Sequence, residues 1–111
     1  MKATEYRIRS HYDEVDLDVL VCTPDTEDPK AVIQLVHGMC EYKERYVPFM
    51  EFLCGNGFAC IIHDHRGHGK SLKAPEDLGY FYSSGWERIV ADIFVVNGMA
   101  KGMFPGKPVF M

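Results

Sequence analysis

Two short apolar runs, separated by a helical pattern, constrain the fold of this chain more than any other feature. Residues 31–36 (AVIQLV) and 58–62 (FACII) are almost continuously apolar, which is typical of strands buried on both faces of a parallel sheet. Between them, apolar residues at helical spacing over 46–54 predict a helix, and Gly55-Asn56-Gly57 supplies its C-terminal stop. Together they predict one right-handed strand–helix–strand crossover.

The segments before this unit predict an antiparallel strand pair. Residues 4–10 and 15–23 alternate apolar and polar side chains, as half-buried strands do, and we expect them to be joined around 11–14.

A second helix and a third parallel strand follow. Ser84 and Glu87 fit a capping box, and 108–111 predicts the start of a third buried strand. The apolar stripe of the helix consists of Trp86, Ile89, Ile93, Val96 and Ala100. The whole order, two meander strands followed by strand–helix–strand–helix–strand, predicts an α/β fold with a mostly parallel sheet.

Composition excludes several classes of protein. The 111 residues suffice for one small core, and a net charge of −4 argues against a nucleic-acid partner, which requires a basic face. No apolar stretch approaches the ~20 residues that span a bilayer, and no signal region precedes the first strand, so we expect a cytoplasmic protein. The four cysteines form no Cys-x-x-Cys pair. We expect Cys22, Cys54 and Cys60 to be buried thiols, while Cys40 lies in a loop.

Glycine- and histidine-containing loops follow both central strands. Because ligands of parallel sheets bind at the carboxyl ends of strands, we expect the loops 37–44 and 63–71 to lie together at a functional edge.

The second loop allows three chemistries. A phosphate-binding loop is disfavoured, because Asp64 stands where the first glycine belongs and no helical pattern follows Ser71. A metal site would use His63, His65 and His68, although Gly67 occupies the position of an acidic ligand and clustered histidines are often structural. The third possibility is a hydrolase loop, and it uses both loops together.

The segments VIQLVHGMCE (32–41) and IIHDHRGHGKS (61–71) resemble the N-terminal half of the α/β-hydrolase fold, most closely its monoacylglycerol lipase and lysophospholipase-like branch. That branch carries a His-Gly-x-x-Glu loop after the third strand and a His-Asp-x-x-Gly-His-Gly-x-Ser loop after the fourth. The resemblance covers roughly residues 15–111. It implies that 1–111 is a partial α/β-hydrolase domain with an incomplete sheet, and it implies no cofactor and no metal.

The resemblance also assigns roles to the first loop. A serine ester hydrolase stabilises its oxyanion with two backbone N–H groups, one of which comes from the loop after the third strand. By resemblance this donor is the N–H of Met39, while Gly38 allows the backbone to turn and His37 braces the loop. In the second loop, the expected structural residues are Asp64, Gly67, Gly69 and Ser71.

The nucleophile, the acid and the base of the catalytic triad are expected to be absent from this chain. No Gly-x-Ser-x-Gly occurs in it, and in this fold the triad residues follow the strand that begins at Pro108. We therefore expect a chain that is inactive alone, derived from a parent acting on acyl esters or other lipid-like substrates. The fold also supports acyltransferases and peptidases.

An exposed apolar sheet edge is the further expectation. It predicts self-association or a complementing C-terminal fragment. The alternative function is a non-catalytic interaction module that pairs with another chain through the same edge.

Overall fold

Five strands form one mixed sheet with a helix on each face in the computed structural model, which describes residues 1–10, 15–25, 28–38, 41–71 and 86–111. The strands are β1 (Lys2–Arg9), β2 (Asp16–Thr23), β3 (Val32–Val36), β4 (Ala59–His63) and β5 (Val109–Phe110). The helices are α1 (Val47–Gly55), preceded by a 3₁₀ turn over Lys43–Tyr46, and α2 (Trp86–Met103).

The strand order is β1-β2-β4-β3-β5. The antiparallel pairing of β1 with β2 and the parallel pairing of β3 with β4 confirm the predicted topology. In the parallel pair Val36 lies opposite His63, so both strands end at the same level. The chain segments that follow them therefore leave the same edge of the sheet side by side.

Side-chain alternation along β4 divides the core between the two faces. Ala59 and Ile61 pack with Val96 and Ala100 of α2, whereas Cys60 and Ile62 belong to the cluster on the α1 side. All four of these β4 residues are fully buried. Burying an isoleucine side chain contributes about 1.5–3 kcal/mol, so the central strand anchors both layers.

The three cysteines placed by the structure are buried free thiols, as predicted. The Sγ atoms of Cys54 and Cys60 lie 3.9 Å apart in the α1-side core. Cys40 lies outside the described residues.

The buried stripe of α2 differs from the predicted one. Trp86 is 70% exposed, and the fully buried positions are Asp92, Val96 and Ala100 at spacings of four. The prediction counted only apolar residues and so passed over Asp92, which is buried because it is paired with a cation. The capping-box residue Ser84 lies outside the described residues.

The third parallel strand is short and is not buried. β5 pairs with β3 only at Val32 and Ile33, and Phe110 is 56% exposed. The prediction of a strand over 108–111 was therefore correct, but the prediction that this strand is buried was wrong. In the part of the chain that the structure describes, no helix combines the length and apolarity needed to cross a membrane.

Candidate active site

The two loops that follow β3 and β4 are joined by a pair of reciprocal contacts between histidines. The main-chain N–H of His65 donates to Nε2 of His37 at 2.9 Å, and Nε2 of His65 lies 2.9 Å from the carbonyl oxygen of His37. Since Nε2 of His37 is an acceptor, its Nδ1 carries the proton and donates to the carbonyl oxygen of Gly38 at 2.6 Å. The beginning of the first loop is thus fixed to the second loop.

Glu41 binds the beginning of the first loop and the 3₁₀ turn that follows it. The N–H of Gly38 donates to Oε1 of Glu41 at 2.6 Å, and the hydroxyl of Tyr46 donates to the same oxygen at 2.8 Å. These two hydrogen bonds lower the pKa of Glu41. Met39 and Cys40, between Gly38 and Glu41, lie outside the described residues, so the predicted oxyanion donor at Met39 stays a prediction.

Asp64 connects the end of the first loop to the second loop. Its carboxylate accepts the main-chain N–H of Lys43 at 2.8 Å, the Lys43 ammonium at 3.0 Å and the N–H of Lys70 at 3.0 Å. Gly69 adopts a φ of +50°, and a Cβ there would lie under 3.0 Å from the carboxyl group of Asp64. The carboxylate therefore occupies the space that any side chain at residue 69 would need.

The second loop closes through its remaining turn residues. The N–H of Gly67, whose φ is +75°, donates to the carbonyl oxygen of Ser71 at 2.8 Å. The hydroxyl of Ser71 accepts the N–H of Asp18 in β2 at 2.8 Å. The end of the loop is thereby attached to β2. No helix forms over 64–71, in contrast to a phosphate-binding loop.

A buried ion pair anchors the second loop to α2, and sequence reasoning did not identify it. Arg66 donates from Nε to Oδ2 of Asp92 at 2.7 Å and from Nη2 to Oδ1 at 3.0 Å. The hydroxyl of Ser10 receives a bond from Arg66 at 3.0 Å and donates to Asp92 at 3.1 Å. An acidic residue within the apolar pattern of α2 was the available signal, because such a residue is buried only with a partner.

Lys43 is the second buried cation that sequence reasoning missed. Its side chain is fully buried, and its ammonium lies 2.7 Å from Glu44 and 3.0 Å from Asp64. Burial on its own lowers the pKa of Lys43, but the hydrogen bonds to Glu44 and Asp64 outweigh it, and the net pKa lies above the ordinary value. The lysine is therefore charged at neutral pH.

His63 and His65 are neutral at pH 7. Burial, followed by the electrostatic interaction with His65 and His37, lowers the pKa of His63 to about 3. Burial is also the main cause that lowers the pKa of His65 to about 4. In His68, Nδ1 lies 3.1 Å from the carbonyl oxygen of Arg66. Within the described ranges, no group of three or more His, Cys, Asp or Glu side chains could hold a metal ion, so His63, His65 and His68 do not form a ligand set.

Comparison with known proteins defines the class to which this fold and these loops belong. The family model described as serine aminopeptidase, S33, matches residues 27–111. The chain therefore belongs to this family of α/β-hydrolase-fold proteins.

Its relatives define the type of hydrolase more closely. The chain is 31% identical to the monoglyceride lipase of Homo sapiens over 116 residues, which span 96% of this chain and 34% of the relative. It is 43% identical to a monoacylglycerol lipase of Mycolicibacterium smegmatis over 51 residues, 46% of this chain and 18% of the relative. A carboxyl esterase from Bacillus coagulans, solved with glycerol, superimposes on the whole chain with a TM-score of 0.85 and 25% identity, over 36% of that structure. The chain is thus a serine hydrolase homologue of the monoglyceride lipase type, and it spans about a third or less of these relatives' lengths.

Proposed function

We propose that residues 1–111 form part of an α/β-hydrolase domain and supply the oxyanion loop of a serine hydrolase acting on monoacylglycerols, lysophospholipids or similar acyl esters. The observation that carries the proposal is the joining of the two loops at one sheet edge, by the reciprocal contacts of His37 and His65 and by Asp64. The names of the relatives, a monoglyceride lipase and a carboxyl esterase, support this class of substrate.

The proposed chemical role belongs to a main-chain group. When a serine attacks the ester carbonyl, the N–H of Met39 donates to the developing oxyanion. The main-chain N–H of the residue that follows the nucleophile supplies the second hydrogen bond. Each donor contributes about 3–4 kcal/mol to stabilising the transition state. His37 and Gly38 hold the loop, and Asp64, Gly67, Gly69 and Ser71 form its support.

The nucleophile, the acid and the base lie outside these 111 residues in this proposal, since no Gly-x-Ser-x-Gly occurs among them. We therefore expect no ester turnover from this chain alone. A complementing C-terminal segment would supply the triad, and the substrate's acyl pocket with it.

Exposed apolar surface supports a partner for this chain. Trp86, Val90 and Phe94 lie at spacings of four along α2 and are all exposed, as are Phe110 and Met111 at the sheet edge. Apolar edges of this kind favour either a complementing segment or self-association. The buried free thiols agree with a reducing compartment, and we propose a cytoplasmic location.

Complementation tests the proposal. The aligned third of the Bacillus coagulans esterase is removed, and the remaining part is coexpressed with this chain and assayed with a short-chain p-nitrophenyl ester. We expect recovered turnover, and we expect Met39→Pro, which lacks the N–H, to reduce kcat about 10²–10³-fold. Met39→Ala keeps the N–H and is expected to lose far less. Circular dichroism of each variant checks folding.

The same experiment separates the alternative function. The short β5 strand favours an interaction module that adds a strand from another chain. Stable binding of the esterase remainder without turnover would support that module and contradict the oxyanion proposal. Stoichiometric zinc in the purified chain would instead support a metal-dependent enzyme.

A further inference from the structure

A fully buried lysine ammonium lies among four carboxylates at the end of the first loop. Nζ of Lys43 is 2.7 Å from Glu44, 3.0 Å from Asp64, 3.5 Å from Asp18 and 3.7 Å from Glu5. These acids come from β1, β2, the 3₁₀ turn and the second loop. One cation therefore connects four separate parts of the chain.

Its tightest link to another element of the chain is with Asp64. The main-chain N–H of Lys43 binds one carboxylate oxygen, and its ammonium binds the other. The main chain and the side chain of Lys43 thus both bind the Asp64 carboxylate, which is itself fully buried. The geometry fixes the position and the direction of the chain where the first loop ends.

The first loop is consequently held at two points, one on each side of the proposed donor. At its beginning, His37 is bound by the main chain and the side chain of His65. At its end, Lys43 is bound by Asp64. The N–H of Met39 lies between these points in the sequence, two residues after the first and four before the second.

We infer that Lys43 is a positioning residue for the oxyanion loop, an inference that rests on the proposed function. Removing its charge leaves Asp18 and Asp64 buried beside Glu5 and Glu44 without their shared cation. Repulsion among these carboxylates then pushes Asp64 away from the end of the loop. The loop loses its second attachment, and the N–H of Met39 is no longer held in position to donate to the oxyanion.

Lys70 provides a matched control within the same cluster. Its ammonium lies 3.2 Å from Glu5 in β1, and its side chain is 58% exposed. Lys70→Met therefore removes one positive charge from the same network and leaves the attachment of the loop to Asp64 in place.

Hydrogen exchange of the chain itself tests the inference without any need for activity. In Lys43→Met, we expect amides of the peptide 37–45 to exchange at least about tenfold faster, while amides of β2 and β4 and the Lys70→Met control stay unchanged. Unchanged exchange over 37–45, or equal acceleration in every peptide, would overturn it. Should Lys43→Met not fold, Lys43→Gln keeps a donor but not the charge, and the same comparison applies.

Kinetics of the complemented enzyme give the second result. Because a displacement of about 1 Å costs about 10²-fold in rate, Lys43→Met is expected to lower kcat by that factor with KM changed less than about twofold. An unchanged kcat beside a large loss in Met39→Pro would overturn the role of Lys43 alone. No loss in Met39→Pro would overturn the proposed function instead.

Discussion

Gly69→Ala is the most specific perturbation that the structure defines. The new Cβ would lie under 3.0 Å from the carboxyl carbon and both carboxylate oxygens of Asp64, closer than real Cβ contacts allow. The backbone at this residue also has a φ of +50°, which L side chains rarely adopt. Neither problem can be relieved without moving the loop or the carboxylate.

The magnitude follows from these two costs. An alanine in the left-handed region costs about 1–2 kcal/mol. Displacing Asp64 breaks its buried pair with Lys43, and breaking such a pair costs about 3–5 kcal/mol. We therefore expect Gly69→Ala to lower the free energy of unfolding by about 4–7 kcal/mol, a large part of the 5–15 kcal/mol typical of a whole protein.

Urea denaturation followed by circular dichroism at pH 7 measures this difference. Gly98→Ala in α2 is the matched control, since a Cβ there meets nothing within 4 Å. Because alanine favours a helix over glycine by about 1 kcal/mol, this control is expected to stabilise the chain slightly. A Gly69→Ala chain within about 1 kcal/mol of the wild type would refute the placement of Asp64 against Gly69.

Three other predictions concern charge and surface. The pKa of His63 is lowered from 6.5 to about 3 and that of His65 to about 4. Below pH 6.5 these two histidines take up protons in the unfolded chain but stay neutral in the folded one, so the free energy of unfolding is highest above pH 6.5 and falls as the pH falls toward 4. Between pH 7 and 5 the loss is about 3–4 kcal/mol for the pair, measured by urea titration at each pH, and a flat profile would contradict the burial of the two rings. Asp92→Asn removes the carboxylate that binds the buried Arg66 guanidinium and should cost about 3–5 kcal/mol, against less than about 1 kcal/mol for Asp16→Asn in an exposed pair. Equal costs for the two variants would contradict this expectation. In sedimentation velocity the isolated chain is expected to self-associate, and a well-dispersed monomer would show that the apolar edge needs no partner.

The strand pairing could be predicted because hydrophobic pattern determines it directly. The continuous apolar runs at 31–36 and 58–62 fit only strands covered on both faces, and the structure places them as the parallel pair β3 and β4. The alternation over 15–23 correctly identified β2 as a strand, but the predicted half-burial was wrong, because residues 17–22 are all buried. In these elements local preference and tertiary burial favour the same structure.

The polar core could not be predicted in the same way. Lys43 and Arg66 are among the residues that are almost always exposed, and only a partner distant in sequence makes their burial possible. Asp92 is 26 residues from Arg66, and Asp64 is 21 residues from Lys43. A single sequence contains no periodic signal for such pairs. The same reasoning explains Trp86, whose apolar character gave no information about which side of α2 is covered.

The proposed function requires the N–H of Met39 to donate a hydrogen bond to a negatively charged oxygen. The most direct test is the amide proton shift of Met39 in the complemented enzyme, measured by NMR before and after addition of a boronic acid that mimics the tetrahedral intermediate. We expect a downfield shift of this proton on binding, because a charged acceptor strengthens the hydrogen bond. A boronic acid that inhibits ester turnover but leaves the Met39 amide proton in place would contradict it.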